Sequence, residues 1–183
     1  MDDLIGERLR LRRPASEDLA HITALHGNAE VMRMIDDGRP VPADVVRSRD
    51  FVTLTRDYGP GRGYWIGVDP AGAFIGWFGL RPRSTDPDVV ELGYRLLPEF
   101  WGRGIATEGA RMLVRHAFDS VGVARVVATT MTVNVGSRRV MEKAGLTWER
   151  TFHEEWDEPI DGAEHGDVDY ALTAEQWTRG VNR

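Results

Sequence analysis

Cysteine is absent from this 183-residue chain. Its absence excludes disulfide bonds, metal sites built on thiolates and catalysis by a cysteine nucleophile. A reaction that moves an acyl group therefore cannot pass through a cysteine thioester on the protein. Because proteins of the reducing cytoplasm rarely contain disulfide bonds, a chain without cysteine is compatible with that compartment, and we expect a cytoplasmic location.

Long apolar runs are absent as well. No stretch approaches the roughly 18 apolar residues of a membrane-spanning helix, and the N-terminal MDDLIGERLRLRR lacks the apolar core of a secretory signal. The net charge of −6 leaves no basic excess, which argues against nucleic acid as a direct partner. The composition is that of an ordinary globular protein without repeats, and we expect residues 1–183 to form one domain.

One region is depleted in basic residues, since no Lys or Arg occurs between Thr151 and Thr178. The same region is rich in acidic side chains: Glu154, Glu155, Asp157, Glu158, Asp161, Glu164 and Asp167. Two interpretations stay open, a solvated loop and a negatively charged rim that attracts amines. The same region also contains His153, His165 and Tyr170, but no HExxH pattern is present and we predict no metal site.

Hydrophobic periodicity predicts short strands interspersed with helices. Apolar alternation and β-branched residues indicate strands at 8–12, 64–68, 73–82, 89–97, 125–132, 147–156 and 168–173. Helical spacing and capping residues indicate helices at 16–26, 43–56, 104–121 and 134–144. The turn at 69–72, with sequence DPAG, joins two of the strands as a tight hairpin.

Residues 88–106, DVVELGYRLLPEFWGRGIA, hold the most informative pattern. One face of the predicted strand is apolar, and the other presents Glu91, Gly93 and Arg95. A carboxylate in mid-strand needs a reason, and two stay open: an ion pair with Arg95 or a role in a site. Pro98 then removes a backbone donor and ends the strand.

A glycine turn, Gly102-Arg103-Gly104, separates this strand from the helix that begins near Ile105. Glycine lets an anion approach closely, and the first N–H groups of a helix point toward it. Alternatively, the turn only makes a tight corner. The patterns GxxxxGK[ST] and GxGxxG are both absent, so neither a Walker loop nor a dinucleotide fingerprint is indicated.

The stretch ELGYRLLPEFWGRGIATEG resembles the acetyl-CoA-binding motif of the GNAT N-acetyltransferases, most closely in the branch of ribosomal-protein N-terminal acetyltransferases. The segment from Asn134 to Leu146, NVGSRRVMEKAGL, is similar to that branch's N-x-x-S-x-x-x-x-x-x-x-G-[FL] pattern. The resemblance runs from about Arg8 to Trp177. It implies an α/β (α+β) fold of order βααβββαβαββ, with about four helices around a mixed, mostly antiparallel sheet of about seven strands.

The resemblance also implies how acetyl-CoA binds. Backbone groups of Leu96 and Leu97 would pair with the pantetheine arm in the manner of an added strand. Trp101 stands first in the turn motif, and the pyrophosphate would lie on the N–H groups of Gly102, Arg103, Gly104, Ile105 and Ala106, with Thr107 beside them. Asn134 caps the following helix and would contact the pantetheine together with Ser137.

Amide formation from a thioester requires a neutral amine, so a base must remove a proton from an ammonium. The resemblance favours Glu91 as that base and Ser137 as the acid that protonates the departing thiolate, with simple capping as the other explanation of the serine. Much of the family has a tyrosine where this chain has Met141. Asp36 and Asp37, with the acidic residues near the C-terminus, would surround the acceptor.

We therefore expect an acetyl-CoA-dependent N-acetyltransferase that acts directly on a primary amine, either a protein N-terminus or a small molecule. A non-catalytic module that binds acyl-CoA is the alternative, and Met141 is the feature that supports it. An unrelated phosphate binder ranks far behind both. No membrane partner is expected, and a homodimer is left open.

Overall fold

A single mixed β-sheet organises the fold. The computed structural model describes residues 3–83, 86–153 and 159–181. Its strands are β1 (Leu4–Ile5), β2 (Arg10–Arg12), β3 (Gly63–Val68), β4 (Phe74–Pro82), β5 (Val89–Leu96), β6 (Arg125–Met131), β7 (Thr147–Phe152) and β8 (Asp167–Thr173). They lie in the order β1-β2-β3-β4-β5-β6-β8-β7. Neighbouring strands pair antiparallel except β5 and β6, which are parallel, so the predicted mixed sheet is confirmed.

Helices cover both faces of this sheet. Their bounds are α1 (Leu19–His26), α2 (Ala29–Met32), α3 (Ala43–Val45), α4 (Phe51–Thr55), α5 (Ile105–His116), α6 (Val135–Lys143) and α7 (Ala174–Val181). A π-helical stretch, Val46–Asp50, joins α3 to α4, and a second one, Ala117–Val121, extends α5. The helices predicted at 43–56 and 104–121 are therefore present, each with a π-helical part.

Three elements were not predicted. β1 has two residues and α2 has four, and both are too short for a periodic pattern to identify. α7 did have a signal in the sequence, because Thr173 and Gln176 form a capping box. The Thr173 N–H donates to Gln176 Oε1 at 2.8 Å, and the Gln176 N–H donates to Thr173 Oγ1 at 3.2 Å.

Two apolar clusters hold the helices to the sheet. α5 packs against β4 and β5, where Leu113 and Val114 join a cluster that includes Phe78 and Leu92. α1 and the α3–α4 segment pack on β3 from the opposite face, around Ile66. Because side chains alternate along β5, Val90, Leu92 and Leu96 are buried on the α5 side, and Glu91, Gly93 and Arg95 face the other way.

The sheet opens between β5 and β6. The two strands pair in parallel only at their first residues, from Val89 opposite Arg125 to Glu91 opposite Val127. Beyond Glu91 both strands continue, but no further pairing joins them. The divergence leaves backbone groups of β5 without a strand partner on that side. It also creates a gap whose vertex is Glu91.

Among the described residues, no helix is both long and apolar enough to cross a membrane.

Candidate active site

Three cavities meet at the gap between β5 and β6. The first, which we call the groove, has a volume of about 430 Å³ and runs between α2, the end of β5 and the start of α6. The second, which we call the central pocket, has a volume of about 490 Å³ and lies over the diverging strands. The third, called the side pocket, has a volume of about 350 Å³ and lies under α1 and α4.

The glycine turn leads from the end of β5 into α5. Gly102 and Gly104 have φ values of 71° and 78°, which strain any residue with a Cβ. Within α5, the first N–H with a backbone acceptor is that of Glu108, which donates to the Gly104 carbonyl at 3.0 Å. The N–H groups of Ile105, Ala106 and Thr107 have no acceptor in the described part of the chain. The helix start therefore presents free donors and the positive end of its dipole.

Arg8, which lies just before β2, binds the glycine turn through hydrogen bonds. Its guanidinium donates to the Arg103 carbonyl at 2.7 Å and, through Nε, to Glu108 Oε2 at 2.9 Å. The Arg8 N–H also donates to Glu108 Oε1 at 2.8 Å. The Glu108 carboxylate is thereby paired close to the first turn of α5, and the Arg103 side chain remains exposed. This arrangement is suited to holding an anion.

Hydrogen bonds show that the backbone groups of Leu96 and Leu97 face opposite sides of β5. The Leu97 N–H donates to the Ile75 carbonyl at 3.0 Å, so Leu97 faces β4. Backbone groups alternate in an antiparallel pair, so those of Leu96, opposite Gly76, face the gap. The Leu96 carbonyl accepts a bond from Trp101 Nε1 at 2.8 Å. Leu96 and Trp101 line the groove, whereas Leu97 is not among the residues that line it.

Asn134 and Ser137 lie where the groove meets the central pocket. Asn134 caps α6, as predicted, because its Oδ1 accepts from the Ser137 N–H at 3.2 Å. The Ser137 hydroxyl lies 2.9 Å from the hydroxyl of Tyr94, and Tyr94 also donates to the Ser137 carbonyl at 3.0 Å. Met141 is buried and lines the central pocket.

Tyr94 is a site residue that sequence reasoning missed. The alternation of β5 placed it among apolar residues, and its position beside the start of α6 depends on the tertiary fold. Burial raises the pKa of Tyr94 well above its usual range, so its hydroxyl keeps its proton. Together with Ser137 it forms a pair of hydroxyls linked by a hydrogen bond.

Glu91 lines both the central pocket and the side pocket. Its carboxylate pairs with Arg81 at 3.0 Å rather than with Arg95. Arg81 stands directly opposite Glu91 on β4, whereas Arg95 is four residues further along β5. Of the two explanations left open for this carboxylate, the ion pair with Arg95 is replaced by one with Arg81, because cross-strand neighbours are closer than residues four apart in one strand. The Glu91 side chain is 22% exposed.

Asp50, His26 and Trp77 line the side pocket and are linked by hydrogen bonds. The Asp50 carboxylate lies 2.6 Å from His26 Nδ1, and Trp77 Nε1 donates to His26 Nε2 at 3.0 Å. The Trp77 bond makes Nε2 an acceptor, so Nδ1 carries the proton and donates to Asp50. Burial, aided by the charge of Arg95, lowers the pKa of His26 and keeps the ring neutral.

The loop after α2 forms another wall. Asp36 lines the central and side pockets and has φ 51°, a left-handed conformation that is rare for residues other than glycine. Asp37 lines none of the three cavities; it accepts a bond from the Arg39 N–H at 3.1 Å. Of the predicted acidic residues, Asp167 lines the central pocket. Glu154, Glu155, Asp157 and Glu158 lie outside the described residues.

The other polar residues near the C-terminus do not reach the cavities. Tyr170 is buried and donates to Glu142 Oε1 at 2.9 Å. His153 contacts the Glu164 carbonyl at 3.3 Å, and His165 is exposed beside the Glu164 side chain. In the described ranges, no group of three or more His, Asp or Glu side chains is arranged to hold a metal ion.

Comparison with known proteins identifies the family. The family model for the acetyltransferase (GNAT) domain matches residues 8–147. The FsC-acetyl coenzyme A-N(2)-transacetylase of Aspergillus fumigatus is 39% identical over 180 residues, which cover 94% of this chain and 76% of that protein. The putative ribosomal N-acetyltransferase YdaF of Bacillus subtilis is 28% identical over 138 residues, 75% of this chain and 74% of that protein.

Among solved structures, the fold is similar to that of a spermidine N-acetyltransferase from Vibrio cholerae in complex with CoA and spermine. The TM-score is 0.78 at 18% identity, and the match covers 94% of this chain and 99% of that one. At this identity the likeness concerns the fold alone. The family model and the fungal relative together establish that the chain belongs to the GNAT family of N-acetyltransferases.

Proposed function

We propose that the protein transfers an acetyl group from acetyl-CoA directly to a primary amine, without a covalent intermediate on the enzyme. The observation that carries the proposal is the continuous path from the glycine turn, along the groove, to the vertex of the gap at Glu91. A cradle for an anion lies at one end of this path, and a carboxylate lies at the other.

The residues of the groove suit acetyl-CoA. The free N–H groups of Ile105, Ala106 and Thr107 would receive the pyrophosphate, with Gly102 and Gly104 allowing its close approach. The backbone of Leu96 borders the gap and can pair with an extended amide-containing arm. Trp101 closes the groove at this point, and Asn134 and Ser137 lie at its inner end.

Acetyl-CoA supplies an acetyl thioester. In our proposal Glu91 accepts a proton from the acceptor ammonium, and the amine nitrogen then bonds to the acetyl carbon while the carbon–sulfur bond breaks. Ser137 donates its hydroxyl proton to the sulfur that leaves, and Tyr94 holds Ser137 in place through the hydrogen bonds of its phenol to the Ser137 hydroxyl and carbonyl. The amine nitrogen loses a second proton as the amide forms, and this proton returns to Ser137, so that CoA leaves as the thiol and the proton held by Glu91 passes to solvent.

The acceptor would enter through the side pocket, because Glu91, Asp36 and Arg95 face that cavity together. The similar proteins carry names that point to different acceptors: an N(2)-transacetylase, a putative ribosomal N-acetyltransferase and a spermidine N-acetyltransferase. A protein N-terminus and a small-molecule amine both fit a primary amine acceptor. The carboxylate of Asp36 would favour the positively charged form of the amine on its way in.

A non-catalytic module that binds acyl-CoA is the second candidate. The observation that favours it is Met141, which lines the central pocket where much of the family has a tyrosine and which cannot donate a proton. The hydroxyl pair of Tyr94 and Ser137 weakens this argument, since it brings a phenol to the same pocket from β5.

Thiol release from acetyl-CoA tests the proposal. The full chain is incubated with peptides of varied N-termini, polyamines, aminoglycosides and amino-acid derivatives, and acetyl-CoA binding is measured separately by calorimetry. We expect binding without an acceptor and thiol release with at least one amine. Tight binding with no release for any amine would favour the non-catalytic module, and failure to bind acetyl-CoA would refute the assignment of the groove.

A further inference from the structure

Arg95 occupies a singular position among the described residues. It is the only one of them that lines the groove, the central pocket and the side pocket at once. It lies on the same face of β5 as Glu91, and only Gly93 separates the two along that face. Because Gly93 has no side chain, the space between the carboxylate and the guanidinium is open.

The hydrogen-bonding capacity of Arg95 is largely unused. A guanidinium has five N–H donors and no acceptor. The one bond that Arg95 makes is from NH1 to the Met32 sulfur at 3.3 Å, and its Nε is buried without a partner in the described part of the chain. Its Cζ lies over the Trp77 ring, 5.3 Å from the ring centre, within the range of a cation–π contact.

Arg95 is half-buried, and a guanidinium taken partly out of water without a salt-bridge partner is costly, so proteins rarely keep one without a purpose. Burial lowers the pKa of Arg95 below its ordinary value, and the charges of Asp36 and Asp50 act in the opposite direction. The neighbouring Arg81 differs, since it pairs with Glu91 at 3.0 Å. A guanidinium that lines cavities and has donors without an acceptor among the described residues is suited to binding an oxygen of a ligand.

We propose that Arg95 binds a carboxylate or carbonyl oxygen of the acceptor, so that the preferred acceptors are amino-acyl compounds rather than plain alkylamines. The proposal rests on the function proposed above and specifies its substrate class. With the oxygen on Arg95 and the amine beside Glu91, the acceptor would span the gap over Gly93. Trp77 would form the floor beneath it, since a Cβ on Gly93 would lie 3.5 Å from that ring.

The test compares matched acceptors in the full chain. L-Alaninamide and L-alanine are each compared with isopropylamine, which has the same carbon skeleton without the oxygen-bearing group. Wild type is compared with Arg95→Met on each acceptor separately, so differences in amine pKa cancel. Arg115→Met, on the exposed face of α5, is the control for the loss of one positive charge, and circular dichroism checks that both variants are folded.

We expect Arg95→Met to lower kcat/KM for the oxygen-bearing acceptors about 10- to 100-fold and to leave that for isopropylamine nearly unchanged. Calorimetry provides a second readout: binding of alaninamide to the complex with CoA should weaken by a similar factor. Arg95→Lys should restore part of the loss, since it keeps the charge but not the planar fork.

Two outcomes would overturn the proposal while leaving the acetyltransferase function intact. One is an equal loss for all three acceptors, which would assign Arg95 to the acetyl donor. The other is a wild-type enzyme that acetylates isopropylamine as well as alaninamide after allowance for the neutral fraction of each amine. If no amine of any class is acetylated although acetyl-CoA binds, the proposed function fails, and this proposal fails with it.

Discussion

Replacement of Glu91 by glutamine gives the sharpest test of the proposed chemistry. The variant keeps an oxygen that accepts the bond from Arg81, which is 3.0 Å away in the wild type. The pair is partly exposed, with side-chain exposures of 47% for Arg81 and 22% for Glu91. Loss of the Glu91 charge should therefore change the free energy of unfolding by about 1 kcal/mol or less. A fall in rate would therefore report chemistry rather than unfolding.

The size of that fall follows from the acceptor. An alkylamine with a pKa of about 10.4 is neutral in only about one molecule in 2,500 at pH 7, whereas roughly one in ten molecules of an α-amine is neutral. Without Glu91 only molecules that are already neutral can react. Glu91→Gln should therefore lower kcat/KM at pH 7 by up to about 10³-fold for an alkylamine and by only about 10-fold for an α-amine, within the usual range of general-base effects.

The assay is thiol release between pH 6.5 and 9.5 with one acceptor of each kind. In the variant, kcat/KM should rise tenfold per pH unit until the acceptor loses its own proton, so the apparent optimum moves to higher pH. Glu99→Gln, on the exposed turn after β5, is the matched control. An unchanged profile would remove Glu91 from the mechanism, and an equal loss for both amines at every pH would leave it a structural role only.

Three further changes test other parts of the structure. Tyr94→Phe removes the hydroxyl bonded to Ser137 and should lower kcat about 10-fold with little change in KM for acetyl-CoA, and an unchanged kcat would exclude a role for Tyr94 in positioning Ser137. Burial lowers the pKa of His26 and His116, so below about pH 6.5 the unfolded chain binds protons that the folded one does not. Urea unfolding should accordingly show lower stability at pH 5.5 than at pH 7.5, with a smaller difference in His26→Gln; an equal difference would exclude His26. Asp169→Ala should cost about 3–5 kcal/mol in urea unfolding, because the buried carboxylate accepts bonds from three side chains, and a cost below about 1 kcal/mol would contradict that account.

Local patterns were sufficient to predict most of the sheet. The strands now called β3 to β6 alternate or are rich in β-branched residues, and their observed ends lie within a residue or two of the predicted ones. The start of α5 was also predictable, because Gly104 supplies the left-handed residue that precedes the first turn. These features depend on neighbours in sequence, which a pattern can record.

Contacts across the sheet were not predictable in the same way. The partner of Glu91 depends on the register between β4 and β5, which no local pattern determines. Arg95 lies four residues along the strand, about 13 Å away, so same-face spacing suggested a pair that the geometry does not make. Tyr94 falls on the apolar face of the same strand, and its hydroxyl reaches Ser137 only once α6 is packed, which no local pattern records.

The sequence also could not predict which backbone groups at the end of β5 face β4 and which face the gap. The sequence motif marks both Leu96 and Leu97, but a strand presents successive backbone groups to opposite sides. The bond from the Leu97 N–H to the Ile75 carbonyl determines which of the two is turned to β4. A pattern that extends over both residues cannot make that distinction without the register.

The divergence of β5 and β6 brings the proposed steps to one point from opposite sides. Glu91 is the last residue of β5 that pairs with β6, and it faces the side pocket; Tyr94 follows three residues later and faces α6, where Ser137 lies. A donor entering by the groove and an amine entering by the side pocket would therefore meet at the vertex, with the proton acceptor and the proton donor on different faces of the sheet. This geometry supports the proposed direct transfer, in which the amine would reach the thioester without a nucleophile of the protein between them.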